Sequence, residues 1–354
     1  MRWTGRLVMA GALVAGAVVG ARMRAARDLT GKTALVTGGS RGLGLLLARE
    51  FGRAGCRVLI CARDGEELDR AVSLLREQGV DAHARACDLR DPDQTAGLVR
   101  RVRAEGGLDL LVNNAGIIQV GPVEAMTDDD FADAMDTMFW APYRLTRALL
   151  PELALRRGHL VTISSVGGRI SVPHLLPYSC AKFAEAALSQ GLDAESAGTG
   201  VKVTTVVPGL MRTGSHQRVE LSGRPRAEYG WFSLGASLPL VSMDAERAAA
   251  QIVQAVRKGR RHVVLTPLAR LAVLADGASP GLTQWALRAT GRLMPAAPAR
   301  RPGRQGGAAA RERTGKVMRA LTGLNDAAAR RFNQRREAAE GAGRAERAER
   351  VPGR

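Results

Sequence analysis

Thr33-Ala34-Leu35-Val36-Thr37-Gly38-Gly39-Ser40-Arg41-Gly42-Leu43-Gly44 is the stretch that decides the fold of this chain. Residues 33–37 are apolar and β-branched, which predicts a short buried strand. Glycines follow at once, and an apolar helical period opens at Gly42 and runs to Gly55. A strand that turns through glycines into a helix collects free backbone N–H groups and the positive end of the helix dipole at one point. The glycines also let the main chain approach a bound pyrophosphate closely. Thr37, Gly38, Ser40, Arg41, Gly42, Leu43 and Gly44 are therefore candidate nucleotide-binding residues.

Working outward, strands and helices alternate. Strands are predicted over 57–62, 82–86, 108–112, 159–164, 201–207 and 262–265, and helices over 66–78, 91–104, 128–150, 178–197 and 244–258. Asp91 stands as N-cap ahead of Pro92, and Pro151 is expected to stop the long helix. Such alternation implies right-handed β-α-β units. The fold class is α/β: a doubly wound parallel sheet of the Rossmann type, about seven strands, with a helical C-terminal extension. The chain divides into a basic and apolar leader over 1–28, the main domain over 29–268, a helical extension over 269–298 and a basic tail over 299–354. Residues 209–240 break the rhythm with Gly, Pro, Ser and scattered aromatics. They read as a substrate-covering loop or short helix pair, with a plain surface insertion as the alternative. The tail is rich in Ala, Arg, Gly and Glu and reads as disordered or as a solvated helix.

The net charge of +18 sits at the ends. Residues 1–32 carry +5 and residues 292–354 carry +10, leaving about +3 for everything between. A basic nucleic-acid groove in the core is therefore not expected, and a membrane surface with anionic lipid is the more economical partner. Leu7 to Gly20 is an unbroken run of small apolar residues between arginines. It reads as a membrane anchor, a cleaved signal peptide or a surface-bound or disordered leader. More positive charge follows the run than precedes it, which would keep the main domain on the cytoplasmic side. Cys56, Cys61, Cys87 and Cys180 form no C-x-x-C pair and have no histidine cluster beside them, so neither a disulfide framework nor a metal site is expected.

Two further signals carry chemistry. The tip of the second strand reads Cys61-Ala62-Arg63 and lacks the acidic residue that would bind a ribose 2′-hydroxyl. Arg63 and Arg41 could grip a 2′-phosphate instead, which favours NADP(H) over NAD(H). Farther on, Tyr178 and Lys182 stand four apart, on one face of the predicted helix, with Ser165 thirteen residues upstream. An ammonium beside a phenol stabilises the phenolate, and the pair can then move a proton near neutral pH.

With these residues in place the chain resembles the short-chain dehydrogenase/reductases, over roughly residues 29–268. The likeness rests on TGGSRGLG at 37–44, Cys87-Asp88-Leu89, Asn113-Asn114-Ala115-Gly116, Ser165, Tyr178, Lys182, and Pro208-Gly209 before Thr213. The resemblance implies that Asp88 bonds the adenine amino group and that the Asn113–Gly116 turn braces the sheet and borders the adenine ribose. It implies that Ser165 holds the substrate oxygen and that Tyr178 gives or takes the proton. Lys182 would bind the nicotinamide ribose, and Pro208, Gly209 and Thr213 would line the nicotinamide. One position departs from the pattern: Met138 stands where family members place an asparagine that serves the proton relay. No other register supplies one, because the asparagines are Asn113, Asn114, Asn325 and Asn333.

The expected activity is NADP(H)-dependent interconversion of a carbonyl and an alcohol. The leader and the apolar residues Trp231, Phe232, Leu234, Leu238 and Leu240 point to a lipophilic small-molecule substrate. The alternative is a membrane-attached cofactor-binding or scaffold protein with little catalysis, which Met138 favours. No nucleic-acid partner is expected. The helices over 128–150 and 178–197 resemble those that pair subunits in the family, so a homo-oligomer is expected. His174 and His216 fall near the pocket mouth and receive no role.

Overall fold

The computed structural model describes residues 26–239, 241–298 and 303–334. The apolar run over 7–20 lies outside the described residues, as does the end of the tail.

Strand β1 (Thr33–Thr37) is central, with β2 (Arg57–Ala62) on one side and β4 (Leu110–Asn113) on the other. β3 (Ala82–Ala86) forms one edge, and β5 (His159–Ile163), β6 (Lys202–Val207) and β7 (His262–Val264) extend the sheet to the other. The order is β7-β6-β5-β4-β1-β2-β3, and every pairing is parallel. The side-chain period of a strand explains the two cores. Ala34 and Val36 pack into one cluster with Leu46, Phe51 and Ile252, while Leu35 faces the other way onto Leu98, Leu111 and Leu149. A sheet buried on both faces needs helices on both, and these helices come from the crossovers.

Helices α1 (Gly42–Arg53), α2 (Gly65–Arg76) and α3 (Pro92–Ala104) follow the first three strands. Asp64 and Asp91 cap α2 and α3 by accepting first-turn backbone N–H groups, with Pro92 inside the first turn of α3. The chain runs from β1 outward to β3, then crosses back to β4 on the far side of β1. That reversal leaves a crevice at the carboxyl ends of β1 and β4, the place where doubly wound sheets bind ligands.

The single long helix expected over 128–150 is built differently. It comprises α4 (Asp128–Met135), a π-helical turn (Asp136–Trp140) and α5 (Ala141–Leu155). Pro151 does not stop it. Pro151 is exposed, so water can take the carbonyl that its missing N–H leaves free, while Leu149 and Leu153 anchor both sides in the core. The π turn carries Met138, which is fully buried. Beyond β5 lies α6 (Leu176–Glu195). Among its described residues the irregular 209–240 region contains one α-helix, α7 (Pro225–Ser237), a 3-10 turn (Ser215–Gln217) and short two-residue ladders. α8 (Ala245–Arg257) packs on α1. α9 (Pro267–Ala278) and α10 (Pro280–Arg292) form a hairpin whose Leu271, Leu274, Leu282 and Trp285 are exposed.

The tail differs most from its sequence reading. Residues 303–334 are neither disordered nor a solvated helix. Gln305–Gly306 pairs with Glu220–Leu221, and the short helices α11 (Gly307–Glu312), α12 (Lys316–Leu321) and α13 (Gly323–Arg331) follow. Ala310, Ala329 and Phe332 are buried. Small residues allow this close packing: a Cβ on Gly307 would lie 2.1 Å from the His216 carbonyl oxygen.

Candidate active site

The crevice is built first from backbone. Gly38 has φ +62° and Gly42 φ +54°, which glycine adopts freely. A Cβ on Gly44 would sit 2.0 Å from the Gly38 carbonyl oxygen, and one on Gly38 would sit 2.9 Å from Ala115 Cα. The turn therefore has room for main chain only, which is the cradle that a pyrophosphate laid against backbone requires. Thr37 Oγ1 accepts the Asn114 and Ala115 N–H groups at 2.9 and 3.0 Å, and Asn114 Nδ2 donates to the Thr37 carbonyl at 2.9 Å. The glycine-rich turn and the Asn113–Gly116 turn are thus tied to each other, and Asn113 Nδ2 is tied to Thr146.

Arg41 does not stand free. Its guanidinium pairs with Glu67, at 2.6 Å, and Ser40 Oγ and Arg218 bond the same buried carboxylate. Of the two arginines expected to meet a 2′-phosphate, Arg63 is the exposed one, and its charge acts on Asp88. Asp88 is itself held by Arg90 at 2.7 Å. That hydrogen bond is the main reason its carboxyl lies below the ordinary range, against a smaller opposing push from burial.

The proton-transfer residues come from β5 and α6. Ser165 caps a short 3-10 turn, its Oγ accepting the Gly167 N–H at 3.0 Å. A Cβ on Gly167 would meet Tyr178 Cε1 at 3.0 Å and Ser165 Oγ at 3.5 Å, so the hydroxyl of Ser165 and the ring of Tyr178 border one small space. Ser164 is used elsewhere, donating to the Lys182 carbonyl at 3.0 Å. Lys182 is buried one turn beyond Tyr178 and donates to the Ile163 carbonyl at 2.8 Å. Pro208 accepts the Val166 N–H at 2.8 Å, and Thr266 fills the space where Gly209 lacks a side chain.

Sequence reasoning passed over Glu185. It is fully buried and its Oε2 accepts from Lys182 Nζ at 2.7 Å. Burial pushes its carboxyl up to about 7, although Lys182 pulls the other way. The signal was there in Lys182-Phe183-Ala184-Glu185, an i,i+3 pair on a helix. Met138 lies on the other side, packed with Ala134, Ala181, Ile117 and Tyr178. Its sulfur would stand 3.4 Å from a Cβ on Gly116, a Cβ that would also stand 3.8 Å from Lys182 Nζ. Of the asparagines absent from that place, Asn325 and Asn333 return to the crevice on the C-terminal segment.

There, Phe332 O accepts the Gly42 N–H at 2.9 Å, and Asn333 Nδ2 donates to the carbonyls of Ser40 and Glu67 at 2.9 and 3.0 Å. Gln334 Nε2 donates to the Thr213 carbonyl at 3.2 Å, and Asn325 Oδ1 accepts the Gly214 N–H at 2.7 Å. The two histidines are engaged: His216 is buried against Asp326, and His174 bonds Glu228, which also accepts from Trp231. Tyr178, Ile118, Val172 and Trp231 are partly buried and pack against one apolar cluster that includes Leu175, Tyr229 and Phe232. Among the described residues no metal-holding cluster is present, and no helix is long and apolar enough to cross a membrane.

A family model described as short chain dehydrogenase matches residues 32–222, more than half of the chain. A Streptomyces violaceoruber protein named granaticin polyketide synthase putative ketoacyl reductase 1 is 37% identical over 190 residues, 52% of this chain and 70% of its own. The Bos taurus dehydrogenase/reductase SDR family member 7B is 34% identical over 259 residues, 70% of this chain and 78% of its own. The crystal structure of a variant actinorhodin polyketide ketoreductase with NADPH superposes with TM-score 0.58 at 30% identity, covering 68% of this chain and 97% of that one.

Proposed function

The chain belongs to the short-chain dehydrogenase family and is an NAD(P)-dependent oxidoreductase, and on that premise we propose that it reduces a lipophilic carbonyl compound to the alcohol with Tyr178 as proton donor. The observation that carries this reading is the shared space between Ser165 Oγ and the Tyr178 ring, one helical turn from Lys182. When bound, the nicotinamide supplies the hydride. Ser165 donates a hydrogen bond to the substrate oxygen, and Tyr178 delivers the proton as that oxygen gains charge. The buried Lys182 ammonium favours the phenolate left behind. The apolar cluster on which Tyr178, Ile118, Val172 and Trp231 all pack supports an apolar substrate over a sugar or an acid.

Arg63 supports a preference for NADP(H), now without Arg41, whose charge Glu67 already meets. The exposed leucines and Trp285 of α9 and α10 support a membrane surface as the setting, in keeping with the cytoplasmic placement read from the leader's charges. Trp140 and Phe183, exposed on the helices expected to pair subunits, support a homo-oligomer.

A second reading, a cofactor-binding scaffold with weak catalysis, draws on the apolar Met138 beside Lys182. One experiment separates the two. The full chain is given NADPH or NADH with a panel of aldehydes, ketones and quinones, and cofactor absorbance is followed. NADPH-linked turnover that falls by about 10²–10⁴ in Tyr178→Phe, with cofactor affinity kept, supports the enzyme. Binding without turnover across the panel supports the scaffold, and tighter binding of NADH ends the NADP(H) assignment.

A further inference from the structure

We infer that the C-terminal strap, residues 322–334, is the closing element of the dinucleotide site and latches the bound cofactor. This rests on the reading above that the crevice takes a nicotinamide dinucleotide. The strap lies beyond the 32–222 span of the family match.

Its contacts fall on both banks of the crevice. On one bank, Asn333 and the Phe332 carbonyl hold Ser40 and Gly42 of the glycine-rich turn. On the other, Asn325 and Gln334 hold Gly214 and Thr213. The family resemblance places the pyrophosphate at the first bank and the nicotinamide at the second. A segment bonded to both therefore spans the path of the dinucleotide between them. The closeness is that of a fitted part: a Cβ on Gly42 would lie 2.7 Å from Gln334 Nε2, and one on Gly214 would lie 2.4 Å from Ala329 Cα.

Two observations bear on how the strap is held. Asn333 holds φ +55°, the left-handed state that asparagine adopts just past a helix end, with the Gln334 N–H returning to the Ala329 carbonyl at 3.0 Å, and in it the amide reaches two carbonyls. Among the described residues, Gln334 Oε1 and Asn325 Nδ2 are buried with no hydrogen-bond partner, although each side chain's other amide atom is bonded. Buried amide atoms left open are costly, and a polar ligand beside them relieves the cost. A dinucleotide offers ribose hydroxyls as donors and phosphate oxygens as acceptors.

The test uses the full chain and the variants Asn333→Ala and Gln334→Ala. NADPH is bound, then chased with excess NADP⁺ while its fluorescence is followed, and thermal midpoints are measured without cofactor. A working latch makes NADPH leave about tenfold faster in Asn333→Ala and a few-fold faster in Gln334→Ala. It also slows hydrogen exchange over 323–334 when NADPH is added to the native chain. Unchanged release from a folded variant overturns the inference, even where the midpoint falls, because the strap is then only structural. Slower release or tighter binding also overturns it, because the strap then obstructs the site. Gln334→Ala, which removes one bond, keeps the test open if Asn333→Ala does not fold. Failure of the native chain to bind NADPH or NADH would instead sink the reading of the crevice itself.

Discussion

The glycine-rich turn and the C-terminal strap meet at one crevice and are made in opposite ways. The turn gets its shape from absent side chains: positive φ angles at Gly38 and Gly42, and no room for a Cβ at Gly44. The strap gets its place from side chains that are present: the amides of Asn325, Asn333 and Gln334 reach across to backbone, and the Asp326 carboxylate reaches other side chains. Asp326 shows the second method best. It accepts from His216 at 3.1 Å, from Gln217 at 3.0 Å and twice from Arg311 at 2.8 Å. Burial pushes its carboxyl up, but these hydrogen bonds and the Arg311 charge outweigh that and hold it well below the ordinary range. Geometry imposed by glycine is local and independent of pH. Geometry imposed by a polar network is long-range and depends on charge.

The contrast can be broken most severely at Gly44. In Gly44→Ala the new methyl group meets main chain that cannot step aside, so the cradle must open. We expect NADPH affinity to fall by about a hundredfold in titration calorimetry, the cost typical of misplacing such a site by about 1 Å. Near-native affinity would show that the turn does not touch the dinucleotide.

Removing the Asp326 charge acts on stability instead of binding. Asp326→Asn keeps the shape but weakens the pairing with Arg311, and about 3 kcal/mol of stability should be lost. The native protein should lose that stability as pH falls below the ordinary carboxylate range, because the folded carboxyl titrates lower than the unfolded one. Denaturant midpoints measured from pH 6 down to pH 2 for both proteins would show it, and parallel curves would contradict it.

Glu185 provides the opposite sign. Burial raises its folded carboxyl to about 7, from an ordinary 4.5, so its contribution is full at low pH and is lost as pH rises between those values. Glu185→Gln should flatten stability across that window and remove an inflection near pH 7 from the rate profile. A profile that keeps the inflection would place it on another group.

The smallest effect is expected at Met138. Met138→Asn puts an amide into an apolar cluster and should lower the thermal midpoint by a few degrees, about 1 kcal/mol. A rise in kcat of a few-fold is expected beside it, read by steady-state kinetics. An unchanged kcat would show that the relay runs without this position.

What could be read in advance follows from the same contrast. Strand periods, the 37–44 turn, the Asn113–Gly116 turn and the Ser165, Tyr178 and Lys182 spacing are short-range patterns, and each was legible in the chain. The strap was not. Its alanines and arginines look like a solvated segment, and nothing local says that Asn333 will bond Ser40, 293 residues away. Pro151 misled for a related reason, since exposure decides whether a helix tolerates proline. Glu67 was hidden too: it looks like an ordinary helix acid until the fold sets it between Ser40, Arg41 and Arg218.

The most direct measurement follows the hydrogen itself. NADPH deuterated at the transferring position is given to the full chain with the carbonyl panel, and the alcohols are analysed by mass spectrometry. One deuterium is expected on the former carbonyl carbon of an apolar substrate, and almost none from Tyr178→Phe that still binds NADPH. A protein that binds NADPH yet labels no alcohol, or a Tyr178→Phe variant that labels as fast as the native chain, would contradict the proposed reduction.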